Sequence, residues 1–172
     1  MTRYWAIRTD QDRRGFIWNE LRDGRLRQGW GYRPEQDLEH LAELKRRGVR
    51  LPDYQRDAWR GNRRLLPSEP DSMQVGDLAV LLHLPVYGRW SIVRVSGTYR
   101  FEISSMPNAV DGAADYGHIR DVELLTGEFG IDSHNGRVGD DLRSSLRNRQ
   151  RMWSLDAHGE EIVRLLAQTV PR

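Results

Sequence analysis

A tryptophan set between two glycines, in Arg27-Gln28-Gly29-Trp30-Gly31-Tyr32, is the arrangement in this chain best suited to meeting a flat ligand. Glycine lets a backbone approach a ring closely and leaves a neighbouring indole uncrowded, and stacking on an aromatic face is worth ~1–3 kcal/mol per base. Trp30, with Gly29 beside it, is therefore the first candidate wall of a base-binding pocket. Trp18, Tyr32 and Trp59 are candidates for a second wall, with Trp5 behind them, and Asn62, Asp77 and Ser91 carry the groups that could read a base edge. Each aromatic also has a packing alternative. Trp5 and Trp90 fall on predicted strands, where a tryptophan suits a core, and Trp153 follows a predicted helix. Tyr99 and His118 lie on adjacent predicted strands and suit a hydrogen bond within the sheet.

The second chemistry on offer is phosphate binding. Of the 27 basic residues only Lys45 is a lysine, and arginine presents a planar fork that matches phosphate and stacks on rings. Codon usage in a G- and C-rich genome also produces arginine, so clustering carries the information rather than number. From Lys45 to Arg64 eight basic residues face only Asp53 and Asp57, interleaved with Tyr54 and Trp59, and a second group, Arg143, Arg147, Arg149 and Arg151, precedes Trp153. Basic surfaces carrying aromatics suit a phosphate backbone with exposed bases. The candidate backbone contacts are Arg27, Arg46, Arg47, Arg56, Arg60, Arg63, Arg64, Arg147 and Arg149.

Other chemistries find less support. Glu43-Leu44-Lys45 matches the end of a PD-(D/E)xK nuclease motif, but it lies on a predicted leucine-spaced helix with no acidic partner on a strand ahead of it. Ser133-His134-Asn135 resembles a fragment of an HNH site without the second histidine or the ββα pattern. With no cysteine and five scattered histidines, neither a disulfide nor a metal site is expected, and no cofactor is implied. No run approaches the ~20 apolar residues of a membrane span. The opening Met1-Thr-Arg-Tyr-Trp-Ala-Ile-Arg8 has no leader of signal-peptide type, so a cytoplasmic location is expected.

The elements that must position these residues read as one α+β domain over residues 1–172. Tyr4 to Arg8 is a predicted strand, Arg13 to Arg22 a short helix with strand as the alternative, and Leu26 to Tyr32 a loop. Asp37 caps a helix running to Arg47, which Gly48 stops. Asp53 to Leu66 is a second helix or an irregular basic arm. Strands follow at 78–82, 89–96, 98–104 and 118–125, with a turn at Ser96-Gly97 between the second and third. Gly127 to Gly139 is a loop, Asp140 caps a helix over 141–152, and His158 to Thr169 is a helix with Ile162, Val163, Leu165 and Leu166 inward.

The order of Val75-Gly76-Asp77, apolar strand, loop, the strand ending in Val95-Ser96-Gly97, an aromatic strand and His118-Ile-Arg-Asp-Val122 resembles the PUA-like superfamily, in particular its EVE, YTH-like and SRA-like branches. Tyr4-Trp5 matches the Tyr-Trp pair that opens EVE-type domains, and Trp59-Arg-Gly-Asn-Arg-Arg64 takes the place of their Trp-containing basic segment before Gly-Asp. The family's Val-Arg-Asn-Tyr segment has no counterpart here. Arg27-Gln-Gly-Trp-Gly31 is similar to an N-terminal feature of PUA-like readers attached to modification-dependent restriction nucleases. The resemblance implies a curved β-barrel of five to six strands over residues 3–125, with peripheral helices, including C-terminal ones at 140–169. It also implies a reader that flips a modified DNA base into an aromatic pocket and leaves cutting to a nuclease or other effector. A PUA-like RNA binder or nucleotide sensor is the alternative from the same residues.

Overall fold

Leu78 to Leu82 is apolar at every position, and a strand of that kind needs cover on both faces. In the computed structural model, which describes residues 1–108 and 111–169, it has that cover. Strand β3 (Leu78–Leu82) lies between β1 (Tyr4–Arg8), to which it is parallel, and β4 (Arg89–Phe101), to which it is antiparallel. Beyond β4 come β5 (His118–Leu124) and β2 (Arg25–Gln28); the short β6 (Ile131–Asp132) pairs with the start of β4, and β7 (Met152–Ser154) flanks β1. The order β2-β5-β4-β3-β1-β7 makes a seven-stranded mixed sheet with β2 and β7 as its ends. The sheet is open and has seven strands, where a curved β-barrel of five to six strands was expected.

Alternation along the strands divides the interior into two cores. Trp5, Ile7, Ala79, Leu81, Val93 and Val95 point to one face, where they meet α1 (Arg14–Arg22), α2 (Leu38–Arg46) and α3 (Asp53–Asn62) through Ile17, Leu21, Leu38, Leu41, Ala58 and Trp59. Ala6, Leu78, Val80, Leu82, Trp90 and Ile92 point to the other, covered by α4 (Asp140–Ser145), Trp153 of β7, and Ile162 and Leu165 of α5 (Gly159–Ala167). Each large apolar side chain so buried stabilises the fold by roughly 1.5–3 kcal/mol. Asp37 caps α2 as the sequence indicates, its carboxylate accepting from the Glu39 amide at 3.1 Å.

Several elements differ from expectation. Leu26 is not in a loop: Arg25 to Gln28 form β2, because β5 supplies an antiparallel partner that glycine-rich local sequence could not reveal. Ser96-Gly97 is no turn either. The register shifts between Val95 and Tyr99, so a bulge carries β4 on through what looked like two strands. The 127–139 loop contains β6. The helix expected over 141–152 ends at Ser145, since the chain is needed at the β1 edge from Met152, and its cap is Gly139 rather than Asp140. Asp53 to Leu66 is helical to Asn62, with a single tighter turn over Arg63–Leu65. In α5, Val163 faces solvent.

That tighter turn is fastened from below. Arg120 of β5 is fully buried and donates through Nη1 to the Leu65 carbonyl at 2.7 Å. Its Nε and Nη2 have no partner among the described residues. Burial lowers its guanidinium to about 10, with Asp77 and Asp121 acting the other way.

Candidate functional site

Where β1 and β2 end, the chain opens a cleft of about 990 Å³. Its walls include Arg8, Thr9 and Asp10 at the end of β1, Arg27 to Trp30 and Tyr32 around the end of β2, Asp57, Arg60, Gly61, Arg63 and Arg64 toward the end of α3, Asp111, Asp115 and Tyr116 ahead of β5, and Arg149 to Met152 entering β7. The volume lies at the upper end of the ~300–1,000 Å³ typical of ligand sites.

Trp30 sits here with φ of +65°, and Tyr116 opposite has φ of +63°. A non-glycine residue in the left-handed region costs of order 1–3 kcal/mol and persists only where its surroundings hold it. The Asp115 carboxylate, itself buried, does much of that holding. It accepts from the backbone amides of Trp30 at 3.3 Å, Gly31 at 2.8 Å and Tyr116 at 2.6 Å. A second support reaches the Trp30 carbonyl through one consistent chain of donors. The Leu38 amide donates to the Tyr99 hydroxyl (3.1 Å), that hydroxyl to Nδ1 of His118 (2.9 Å), and Nε2–H of His118 to the Trp30 carbonyl (3.0 Å). The chain requires a neutral imidazole. Burial lowers His118 to about 4, against a raising effect from its bond to Trp30 and with a further push down from Arg151. Tyr99 and His118 thus hydrogen-bond within the sheet and also fix the candidate wall.

The glycines beside Trp30 serve the chain itself. A Cβ on Gly31 would lie 2.8 Å from the Gly117 nitrogen, and one on Gly117 would lie 2.5 Å from the Gly31 carbonyl oxygen, so the pair lets two backbones touch. The indole is partly engaged as well. A Cβ on Gly61 would come within 3.0 Å of its six-membered ring, and the Arg151 guanidinium stands 4.1 Å from its centroid. Even so, Trp30 is 42 % exposed, the one tryptophan of the chain open to this extent.

The charges around the cleft fall into two sets. Arg27 is internal: it pairs with Glu20 and donates to the carbonyls of Glu102 (2.7 Å) and Tyr116 (3.0 Å). Arg64 donates to the Met152 carbonyl, and burial, then the nearby Arg63, lower its guanidinium. Among the described residues Arg60, Arg63, Arg149 and Arg151 have no carboxylate within salt-bridge reach, and all four line the cleft. Burial lowers the Arg151 guanidinium, opposed by Asp115 and Asp10. Tyr116 donates its hydroxyl to Asp10, and its own ionisation is pushed up by burial and that carboxylate. Two further polar atoms of cleft residues, Thr9 Oγ1 and Gln28 Nε2, are buried without a partner among the described residues. A buried polar group left so costs about 1–3 kcal/mol.

The structure thus brings together Trp30, Gly29, Tyr32, Arg27, Arg60, Arg63, Arg64 and Arg149 of the sequence candidates. It places the others elsewhere. Trp5 is buried in the core, its Nε1 donating to Asp77 at 3.0 Å, and Asp77 also accepts from the amides of Arg3 and Gln74, so both shape the Gly76 turn. Trp59 is core, with Lys45 over its ring, and Trp18 packs half-buried on α1. Ser91 is buried in β4 and donates to the Leu84 carbonyl at 3.0 Å. Asn62 lies one layer behind the cleft, donating to the Gly29 carbonyl at 2.9 Å. Arg46 and Arg56 are spent on Glu43 and Asp53 within their own helices, Arg47 is exposed away from the cleft, and Arg147 lines a separate hollow.

Sequence reasoning passed over Arg8, Thr9, Gln28, Asp115, Tyr116 and Arg151 as site residues. One signal was present: Asp115-Tyr116-Gly117 repeats the aromatic-beside-glycine pattern of Gly29-Trp30-Gly31. Among the described residues no group of three His, Cys, Asp or Glu side chains could hold a metal ion, and no helix is long and apolar enough to cross a membrane. No protein-family model matches the chain, and comparison with curated proteins gives no match.

Proposed function

We propose that this protein is a nucleic-acid reader that draws a modified DNA base into the Trp30 cleft. The observation that carries the reading is a coincidence in one place: an exposed indole under a guanidinium and, among the described residues, arginines without carboxylate partners and buried polar atoms without partners. Extracting a base from its stack costs roughly a few kcal/mol. Stacking on Trp30 or on the Arg151 plane over it offsets that cost, and hydrogen bonds from the base edge to Thr9 and Gln28 offset more by satisfying groups that are otherwise unpaired. Arg60, Arg63 and Arg149 at the rim would take the flanking phosphates. On this reading β1 to β5 correspond to the strands of a PUA-like barrel, and the domain binds rather than cuts, with a nuclease or other partner supplying any effector step.

The test is a titration panel of modified and unmodified oligonucleotides, single- and double-stranded, in DNA and RNA. A modified DNA strand should bind best. Equal affinity across the panel would remove the modified base from the reading, an RNA preference would move it to RNA, and no binding at all would end it. Replacing Arg60, Arg63 and Arg149 together by alanine should make the log–log salt slope about 2 shallower on a single strand, at roughly 0.7 per phosphate. An unchanged slope would take these arginines off the backbone path.

A further inference from the structure

The cleft has a neighbour. β1 and β3 end together at the pair Arg8↔Leu82, and His83, Tyr87 and Gly88, which follow β3, border a second hollow of about 380 Å³. Arg8 lines both spaces, and Arg147, two residues from Arg149 of the cleft, lines the hollow. At its edge the Tyr87 ring stacks on His83 with centroids 4.4 Å apart and planes 5° apart, yet Tyr87 remains 74 % exposed. His83 is a fixed plate: its Nδ1 accepts from the Gly88 amide at 3.1 Å, and burial, then Arg14 and Arg8, hold its imidazole below the ordinary value, in the neutral form. Arg147 is exposed and has no carboxylate partner among the described residues.

A ring backed on one side and open on the other, next to unpaired positive charge, is a stacking platform for a base on a phosphate chain. We propose that the hollow is a second station for the same strand, in which a nucleotide adjacent to the one held in the Trp30 cleft stacks its base on Tyr87 while Arg8 and Arg147 take the phosphate between them. The inference rests on the cleft being a nucleic-acid site. It adds a requirement: both bases must be unpaired, so the bound strand is single or splayed open. The occupant follows from charge and continuity, since the hollow shares Arg8 with the cleft and the exposed cations on its rim complement a polyanion.

The experiment titrates single DNA strands of one to six nucleotides, bearing the modification that the panel selects or unmodified if it selects none, against the parent, Tyr87→Ala and Tyr87→Phe. In the parent, affinity should rise in a step once a strand reaches both stations. Tyr87→Ala should lose that step, about 5- to 150-fold for one stacked base, and bind the shortest strand as the parent does. Tyr87→Phe should keep it, as the ring face remains. Tyr87 is an exposed loop side chain, so both variants should fold. If the shortest strand binds and Tyr87→Ala matches the parent at every length, the second station is wrong while the cleft stands. If no strand binds the parent, the cleft reading fails and this inference with it.

Discussion

Two tryptophans of this chain are anchored by the same device and end in opposite environments. Asp77 and Asp115 are both buried carboxylates that accept three N–H groups beside a tryptophan. Asp77 takes one of its three from the indole of Trp5, which fastens the ring itself and leaves it 1 % exposed. Asp115 takes only backbone amides, fixing the path of the chain at Trp30 while the ring stays 42 % exposed at the cleft. A carboxylate clamp on the indole buries the ring; the same clamp on the backbone leaves the ring partly open to the cleft. That contrast separates the two regions better than residue type does.

The largest expected effect lies on the core side. Trp5→Ala removes a fully buried ring and strands part of the Asp77 acceptor, and should cost about 3–5 kcal/mol of stability in chemical denaturation. A loss below about 1 kcal/mol would mean that the Gly76 turn holds without the indole and that the two clamps are not alike.

Next comes an effect of pH peculiar to the Trp30 side. The folded His118 is lowered to about 4 from an ordinary 6.5, so between those values the unfolded chain binds the extra proton. Stability is therefore complete above about pH 6.5 and declines as pH falls through the window, by about 3 kcal/mol at about 1.4 kcal/mol per pH unit. His118→Gln should abolish this part of the slope when the two proteins are compared by denaturation from pH 7 to pH 4. Parallel slopes would show that burial behind the Trp30 loop does not hold this imidazole neutral.

A smaller loss is expected from Asp115→Ala. It leaves three backbone amides short of their acceptor and should cost about 2 kcal/mol, together with a loss of oligonucleotide affinity, because Trp30 and Tyr116 lose one of the supports that hold them left-handed. Asp115→Asn, which keeps an acceptor oxygen, should fall between. Were affinity unaffected in Asp115→Ala, the loop geometry would not matter to binding.

The uneven legibility of these two regions in the sequence has a physical cause. Aromatic and branched residues in β1, an unbroken apolar run in β3 and the helical spacing of apolar residues in α1 and α2 made these elements readable, because their burial is encoded within a few residues of chain. Trp30 and the arginines at 60–64 were readable as chemistry for the same reason, since glycine flanks and charge clusters are local. What could not be read depends on partners far apart. β2 exists because β5 lies beside it, β4 runs on through Gly97 because a bulge absorbs the register, and Asp115 becomes the clamp of a loop 84 residues earlier. Trp5 and Asp77 were drawn toward the pocket by residue type, when a hydrogen bond spanning 72 residues makes them core.

The most direct test of the contrast is Trp30→Ala, followed by two readouts on one sample. Stability should change by less than about 1 kcal/mol, because the ring is largely outside the core and alanine at φ of +65° is no more strained than tryptophan. Affinity for the preferred oligonucleotide should fall by ~1–3 kcal/mol. A variant that unfolds while Trp30 is the only change, or one that binds every oligonucleotide as the parent does, would show that this indole packs the fold and that the ligand is held elsewhere.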